Sequence, residues 1–247
     1  MRIIDSLRAQ LADRLEGRVA ADVRVGLGFT CVLLDNGHAG LAYTFRRETG
    51  QGCTVLDAAG GFAGRAASEL AALAGGGVIE TAIGLATLNA AAGPIETEGS
   101  ADVIAALAVR DGERVGMVGW FGPVLKQLGN TDVTVFETAE GARPGTVPGG
   151  RMAELLPGMD VVIVTSTSLI NNTADGILDH CGGAREVAML GPSTPCVAAA
   201  FEGTPVTLLA GSQVTNSGSA LRIVSEGGGT RQLGPACRKF CIRVAGA

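Results

Sequence analysis

A chain of 247 residues, 47% hydrophobic and only 17% charged, can bury a substantial core, which argues against an intrinsically disordered protein. Its net charge of −5, with no cluster of Lys or Arg, disfavours nucleic acid as a partner, because the phosphate-neutralising patch is missing. No apolar stretch reaches the ~20 residues a membrane span needs, so no membrane partner is expected.

The N-terminus reads as an amphipathic helix over residues 3–16, with Ile3, Ile4, Leu7, Leu11 and Leu15 at helical spacing. It is not a cleavable signal with a central apolar block, which predicts a cytoplasmic protein. The six cysteines (Cys31, Cys53, Cys181, Cys196, Cys237, Cys241) are then expected as reduced thiols, not as a disulfide framework. Val23–Leu34 and Gly40–Phe45 are strand-like, and Asp35-Asn36-Gly37 between them is a hairpin signal. Helices follow over Ala63–Leu73 and Val78–Ala92, the second stopped by Gly93-Pro94. Residues 1–95 thus read as a small α+β unit.

Residues 96–247 read as the second domain. After a connection that holds a helix near Asp102–Val109, five apolar runs have strand length: Arg114–Gly119, Asp132–Phe136, Asp160–Thr165, Glu186–Leu190 and Pro205–Ala210. The first four are separated by segments long enough for helices, the alternation of a Rossmann-like, doubly wound, mostly parallel sheet. Leu221–Val224 and Lys239–Val244 are predicted as an antiparallel tail, divided by Gly227-Gly228-Gly229. The expected fold class is α/β. The many alanines and glycines on the helices would suit close packing against a second copy of the chain, a homo-oligomer.

In such a sheet ligands sit beyond the carboxyl ends of the strands. Those ends carry Gly119-Trp120-Phe121, Glu137-Thr138, Thr165-Ser166-Thr167-Ser168, Gly191-Pro192-Ser193-Thr194 and Gly211-Ser212, a convergence of glycines, hydroxyls and one carboxylate that suits a small polar ligand. Taken singly, most Ser, Thr and Gly residues there would only make turns and caps. The turn Gly116-x-x-Gly119-x-x-Gly122 departs from the dinucleotide fingerprint, and Trp120 and Phe121 would crowd a pyrophosphate. Asn172 or Thr173 is expected first as a helix cap, and functionally as a helix start offered to an anion. With only His38 and His180 in the chain, and neither suitably placed, a serine-hydrolase triad is disfavoured. His38 should be exposed at its hairpin. Cys237 and Cys241, if on a strand, lie ~13 Å apart and cannot share a zinc ion. Arg46 and Arg47, beside Glu48, would either cover the ligand edge or form a solvated loop.

Taken in order, Ala82-Ile83-Gly84-Leu85-Ala86-Thr87-Leu88-Asn89-Ala90, VGMVGWFGP, TSTSLINNT, LGPSTP and FEGTPVTLLAGSQV resemble the family described as "putative heavy-metal chelation". The resemblance covers the chain from about residue 15 to its end. It implies an enolase-N-terminal-like domain over residues 1–95, a Rossmann-like domain over 96–247, and a binding cleft between them. It adds Asn89 to the candidate ligand residues and points also to Gly119, Thr165, Asn172, Thr173, Gly191, Pro192 and Thr194. The ligand it implies is a metal or a metal-binding small molecule. No motif identifies a cofactor, and a transition-metal ion is the one candidate. The alternative is an enzyme acting on a small carboxylated or chelating metabolite, with Glu137 or Glu48 as acid/base and Arg46 or Arg47 as a carboxylate clamp, or one dependent on a nucleotide or S-adenosylmethionine.

Overall fold

The computed structural model describes residues 2–46, 48, 54–94 and 102–245. Arg47, Cys53 and the predicted boundary at 95/96 lie outside the described residues. The N-terminal periodicity marks the buried face correctly, since Ile3, Ile4, Leu7, Leu11 and Leu15 are all buried. The segment is two helices, however, α1 (Ile3–Gln10) and α2 (Ala12–Leu15), broken where Leu11 leaves the helical region at φ −107°, ψ 4°.

A three-stranded antiparallel sheet follows, β1 (Ala20–Val25), β2 (Phe29–Leu34) and β3 (Ala39–Tyr43), paired in that order. The single run predicted over Val23–Leu34 is therefore two strands. The chain reverses at Gly26-Leu27-Gly28 for a tertiary reason: a Cβ on Gly26 would stand 2.2 Å from the carbonyl oxygen of Val224. The predicted Asn36-Gly37 hairpin joins β2 to β3, with Gly37 at φ +85° and its N–H on the Leu34 carbonyl. His38 is half-buried against Gly93, not exposed as expected.

After α3 (Ala67–Ala71) comes α4 (Val78–Ala92), which is apolar all round and almost wholly buried. Such a helix belongs in a core. Its small residues are consumed within the chain. Gly40 of β3 lies so close that a Cβ would sit 2.2 Å from the Ala86 oxygen, and one on Gly84 would meet the Ala74 backbone at 2.3 Å. On α4, the composition that suggested packing against a second copy thus reflects packing inside one.

The second sheet has seven strands: β4 (Arg114–Val118), β5 (Asp132–Glu137), β6 (Val147–Pro148), β7 (Val161–Thr165), β8 (Glu186–Leu190), β9 (Leu208–Val214) and β10 (Cys237–Arg243). Their order is β10-β9-β8-β7-β4-β5-β6, and all pairings are parallel except β9 with β10. Counted from β4, the parallel strands run 3-2-1-4-5-6, the doubly wound order whose direction reverses between β4 and β7. The antiparallel tail is half as predicted. β10 is a strand, but Leu221–Val224 lies in a helix, α9 (Ser217–Ser225), because Ala220, Leu221 and Val224 supply a buried stripe and Asn216 caps Ser219 N–H. A four-residue apolar run does not by itself separate strand from helix.

One face of the large sheet is covered by α5 (Val103–Leu107) and α6 (Gly122–Leu128), around Leu107, Val115, Met117 and Ile163. The other face shares a continuous core with the first unit, from Leu7, Val32 and Ile83 to Val118, Phe136 and Val164. Phe29, Cys31 and Leu41 of the small sheet pack on Ala220 and Val224 of α9. The small unit therefore sits across the carboxyl edge of the large sheet.

Candidate functional site

The edge opens where that cover stops. Between the end of β3 and the ends of β4, β5 and β7 lies a cleft of about 400 Å³, lined by Tyr43, Phe45, Val118, Gly119, Trp120, Phe136, Glu137, Thr138, Gly149, Met152, Thr165, Thr167, Ser168, Asn171, Thr173 and Ile177. It occupies the switch point of the strand order, where doubly wound sheets hold ligands.

Each wall has a local cause. Gly119 ends β4 at φ +88° with its N–H on the Phe136 carbonyl, and a Cβ there would press on Thr165 at 3.1 Å. Only glycine lets β4 turn out so close to β7. Trp120 follows, 39% exposed, with the Arg143 guanidinium 4.8 Å over its ring. At the end of β7 the Thr165 and Thr167 hydroxyls bond each other at 2.9 Å, while Ser168 Oγ donates to the Thr165 carbonyl at 2.7 Å. Thr173 Oγ1 donates to Asn171 Oδ1 at 2.7 Å. Glu137 closes the far side, half-buried, with Oε2 accepting from Thr138 N–H at 3.3 Å. On the small unit's side, Tyr43 and Phe45 meet edge to face with centroids 5.1 Å apart.

Of the sequence candidates, the cleft gathers Gly119, Trp120, Glu137, Thr165, Thr167 and Thr173. The others lie elsewhere. Phe121 packs on the opposite face of the sheet with the Val103–Leu107 cluster. Ser166 is buried, its hydroxyl against the bare Cα of Gly191 and without a hydrogen-bond partner. Asn172, at φ +58°, turns its amide to the Gly76 carbonyl at 3.3 Å. After α7 (Met152–Leu155), Thr173 holds the cap position of α8 (Ala174–Leu178), but its side chain makes no capping bond.

The 191–194 loop belongs to a joint between the units. Tyr43 N–H donates to Ser193 Oγ at 2.8 Å, and Asn89 Nδ2 donates to the Ser193 carbonyl at 3.2 Å and to Leu41 at 2.8 Å. Gln213 Nε2 donates to the Gly93 carbonyl. Ser193 and Thr194 are fully buried, Gly191 and Pro192 half-buried, and none of the four lines the cleft. Arg46 is exposed beside Phe45, also outside the lining.

Tyr43, Phe45 and Arg143 were missed. A signal existed for the first two: residues two apart at a strand end share a face, so paired aromatics at 43 and 45 mark one apolar wall. Nothing local marks Arg143, which reaches Trp120 across 23 residues.

The described cysteines offer little to a metal. Burial pushes Cys31, Cys181 and Cys196 up to about 12 and Cys237 to about 11, so all four are protonated at neutral pH. As expected for a strand, Cys237 and Cys241 stand four residues apart along β10. Among the described residues no group of three or more His, Cys, Asp or Glu side chains could hold a metal ion, and no helix is long and apolar enough to cross a membrane.

Comparison with known proteins bears on this geometry. Two family models, both described as "Putative heavy-metal chelation", match residues 8–92 and 102–242. The chain belongs to this family. An uncharacterized protein of Methanocaldococcus jannaschii is 25% identical over 178 residues, covering 68% of this chain and 67% of that protein. Two solved members of the family, both of unknown function, share the fold. One from Pyrococcus horikoshii has a TM-score of 0.84 at 23% identity over 98% of this chain and 100% of its own. One from Desulfitobacterium hafniense has a TM-score of 0.76 at 23% identity over 97% and 98%.

Proposed function

We propose that this family member binds a metal-chelating small molecule in the cleft between the small unit and the carboxyl edge of the large sheet. The observation that carries the reading is the composition of the lining: hydroxyls, backbone, aromatic rings and one carboxylate, at the switch point of the sheet. A bare heavy-metal ion fits poorly, since soft metals select thiolate, thioether and imidazole, and the described lining offers of these only the Met152 thioether. The donors to the metal would come from the ligand, and the protein would hold the organic part. Gly119 supplies backbone, Thr165 and Thr167 hydroxyls that donate or accept, and Glu137 an acceptor.

Trp120 is the chain's only tryptophan and lines the cleft, so intrinsic fluorescence reports occupancy directly. Titration with a panel of chelators, each with and without nickel, should change its emission, while nickel ions alone should not. Stoichiometric metal in protein purified without tag or chelator, with no organic ligand bound, would count against the reading.

A second reading is an enzyme acting on a small chelating metabolite. One observation favours it: burial and the neighbouring Glu140 carboxylate raise the Glu48 carboxyl above its ordinary range, the direction a general acid needs, at a position just outside the described cleft lining. Turnover of a metabolite pool that Glu48→Gln abolishes would support this reading; turnover that survives the substitution would remove Glu48 from it.

A further inference from the structure

The two sides of the cleft present rings. Trp120 projects from the end of β4 and is the one aromatic among the exposed large hydrophobic side chains of the described residues. Leaving an indole half in water forgoes the burial that stabilises most tryptophans, and such rings commonly await a partner. Arg143 lies over the ring but does not line the cleft, so the guanidinium backs the indole and leaves the cleft side to a ligand. From the small unit, Tyr43 and Phe45 come in at 88° to each other. Their edge-to-face contact fixes both rings before any ligand arrives, which lowers the cost of ordering on binding.

Charge narrows the class further. The described lining holds no Lys or Arg to neutralise an anion, and it holds one carboxylate, Glu137. A polycarboxylate or phosphate would find no counter-charge in the described lining and would lie beside a like charge. A neutral or cationic molecule with an O–H or N–H edge would meet Glu137 and the Thr165–Thr167 hydroxyl pair.

We propose, resting on the reading of the cleft as a chelator site, that its ligand is a flat ring system, uncharged or cationic, seated between Trp120 and the Tyr43–Phe45 wall with its polar edge towards Glu137. Ring faces supply the affinity and the hydroxyl edge fixes the orientation. Open-chain polycarboxylate chelators match neither the facing rings nor the charge of the described lining.

The test is calorimetric titration of the whole chain with four probes: 8-hydroxyquinoline, its nickel complex, the non-chelating isomer 6-hydroxyquinoline, and nickel citrate. Wild type should bind 8-hydroxyquinoline and its nickel complex and leave nickel citrate unbound. Trp120→Leu should weaken the flat probes about tenfold, the size of one aromatic stack, and Trp120→Phe should restore most of the loss. An unchanged melting temperature shows that both variants fold. Nickel citrate binding as tightly as the flat probes, or full affinity in Trp120→Leu, overturns the flat-ring proposal and leaves the chelator reading standing. Equal binding of both hydroxyquinolines, with the Trp120→Leu loss, keeps ring recognition and removes chelation from the reading. Binding by none of the four overturns both.

Discussion

At the ends of β4, β5 and β7 the hydroxyls of Thr138, Thr165 and Thr167 face a cleft, while at the end of β8, one strand further along the same edge, Ser193 and Thr194 lie buried under β3 and α4. The two stretches share their residue types and their place at strand ends. They differ in what the small unit does above them. Over β8 it comes down to backbone contact, with Tyr43 N–H on Ser193 Oγ and the Asn89 amide bridging Leu41 and Ser193. Over β4 and β7, among the described residues that line the cleft, it presents the rings of Tyr43 and Phe45. A hydroxyl at a strand end is thus either buried in the joint or open to the cleft, and its cover decides which.

That contrast can be broken experimentally. The largest effect is expected at the closest approach. Gly40→Ala would place a methyl group 2.2 Å from the Ala86 oxygen, separate β3 from α4 and cost about 3 kcal/mol, read by urea unfolding. A cost under about 0.5 kcal/mol would mean that the joint is loose.

Asn89→Ala removes two donors from partly buried carbonyls and should cost about 2 kcal/mol. It should leave ligand affinity in the cleft within a factor of about two, since Asn89 does not line it. Thr167→Val should do the reverse, with stability changed by less than about 0.5 kcal/mol and affinity lowered severalfold. If the two variants exchange phenotypes, the division into joint and cleft is wrong.

The opposite edge of the sheet provides a control with a pH signature. Arg185 grips Glu113 with two bonds of 2.9 and 2.7 Å and, with the Arg110 N–H, holds its carboxyl down at about 2. A carboxyl depressed from its unfolded value near 4.3 contributes fully above about pH 5, and the contribution is lost as pH falls towards 2. Glu113→Gln should therefore cost about 1 kcal/mol at pH 7, and the difference from wild type should vanish near pH 2 in acid unfolding. A constant difference across that range would show that the ion pair is not its source.

The smallest effect is expected at Thr194, whose buried hydroxyl has no hydrogen-bond partner. Thr194→Val keeps the shape and removes an unpaired polar group, so stability should hold or rise by up to about 1 kcal/mol. A loss of more than 1 kcal/mol would reveal an ordered water bonded to that hydroxyl.

Much of the scaffold was legible from local pattern. The Val78–Ala92 helix has the bounds its Gly-Pro stop implied, the Asn36-Gly37 hairpin is present, and the first four β-runs of the larger half are strands. Gly119, Glu137 and Thr165 at the cleft follow from that pattern plus the rule for strand ends. The failures share a cause. Gly26 makes a turn because of Val224, and Leu221–Val224 is helical because α9 must cover Phe29 and Cys31. Each is decided by a contact almost two hundred residues away in the chain.

By itself, then, the amino-acid order determined most of the elements, the larger sheet and the edge on which the candidate site lies, because periodicity, turn chemistry and strand-end geometry are properties of neighbouring residues. Which residues of that edge remain open was settled only in three dimensions. Tyr43 and Ser193 meet across 150 positions, and the burial of one hydroxyl and the exposure of the next depend on where the small unit comes to rest.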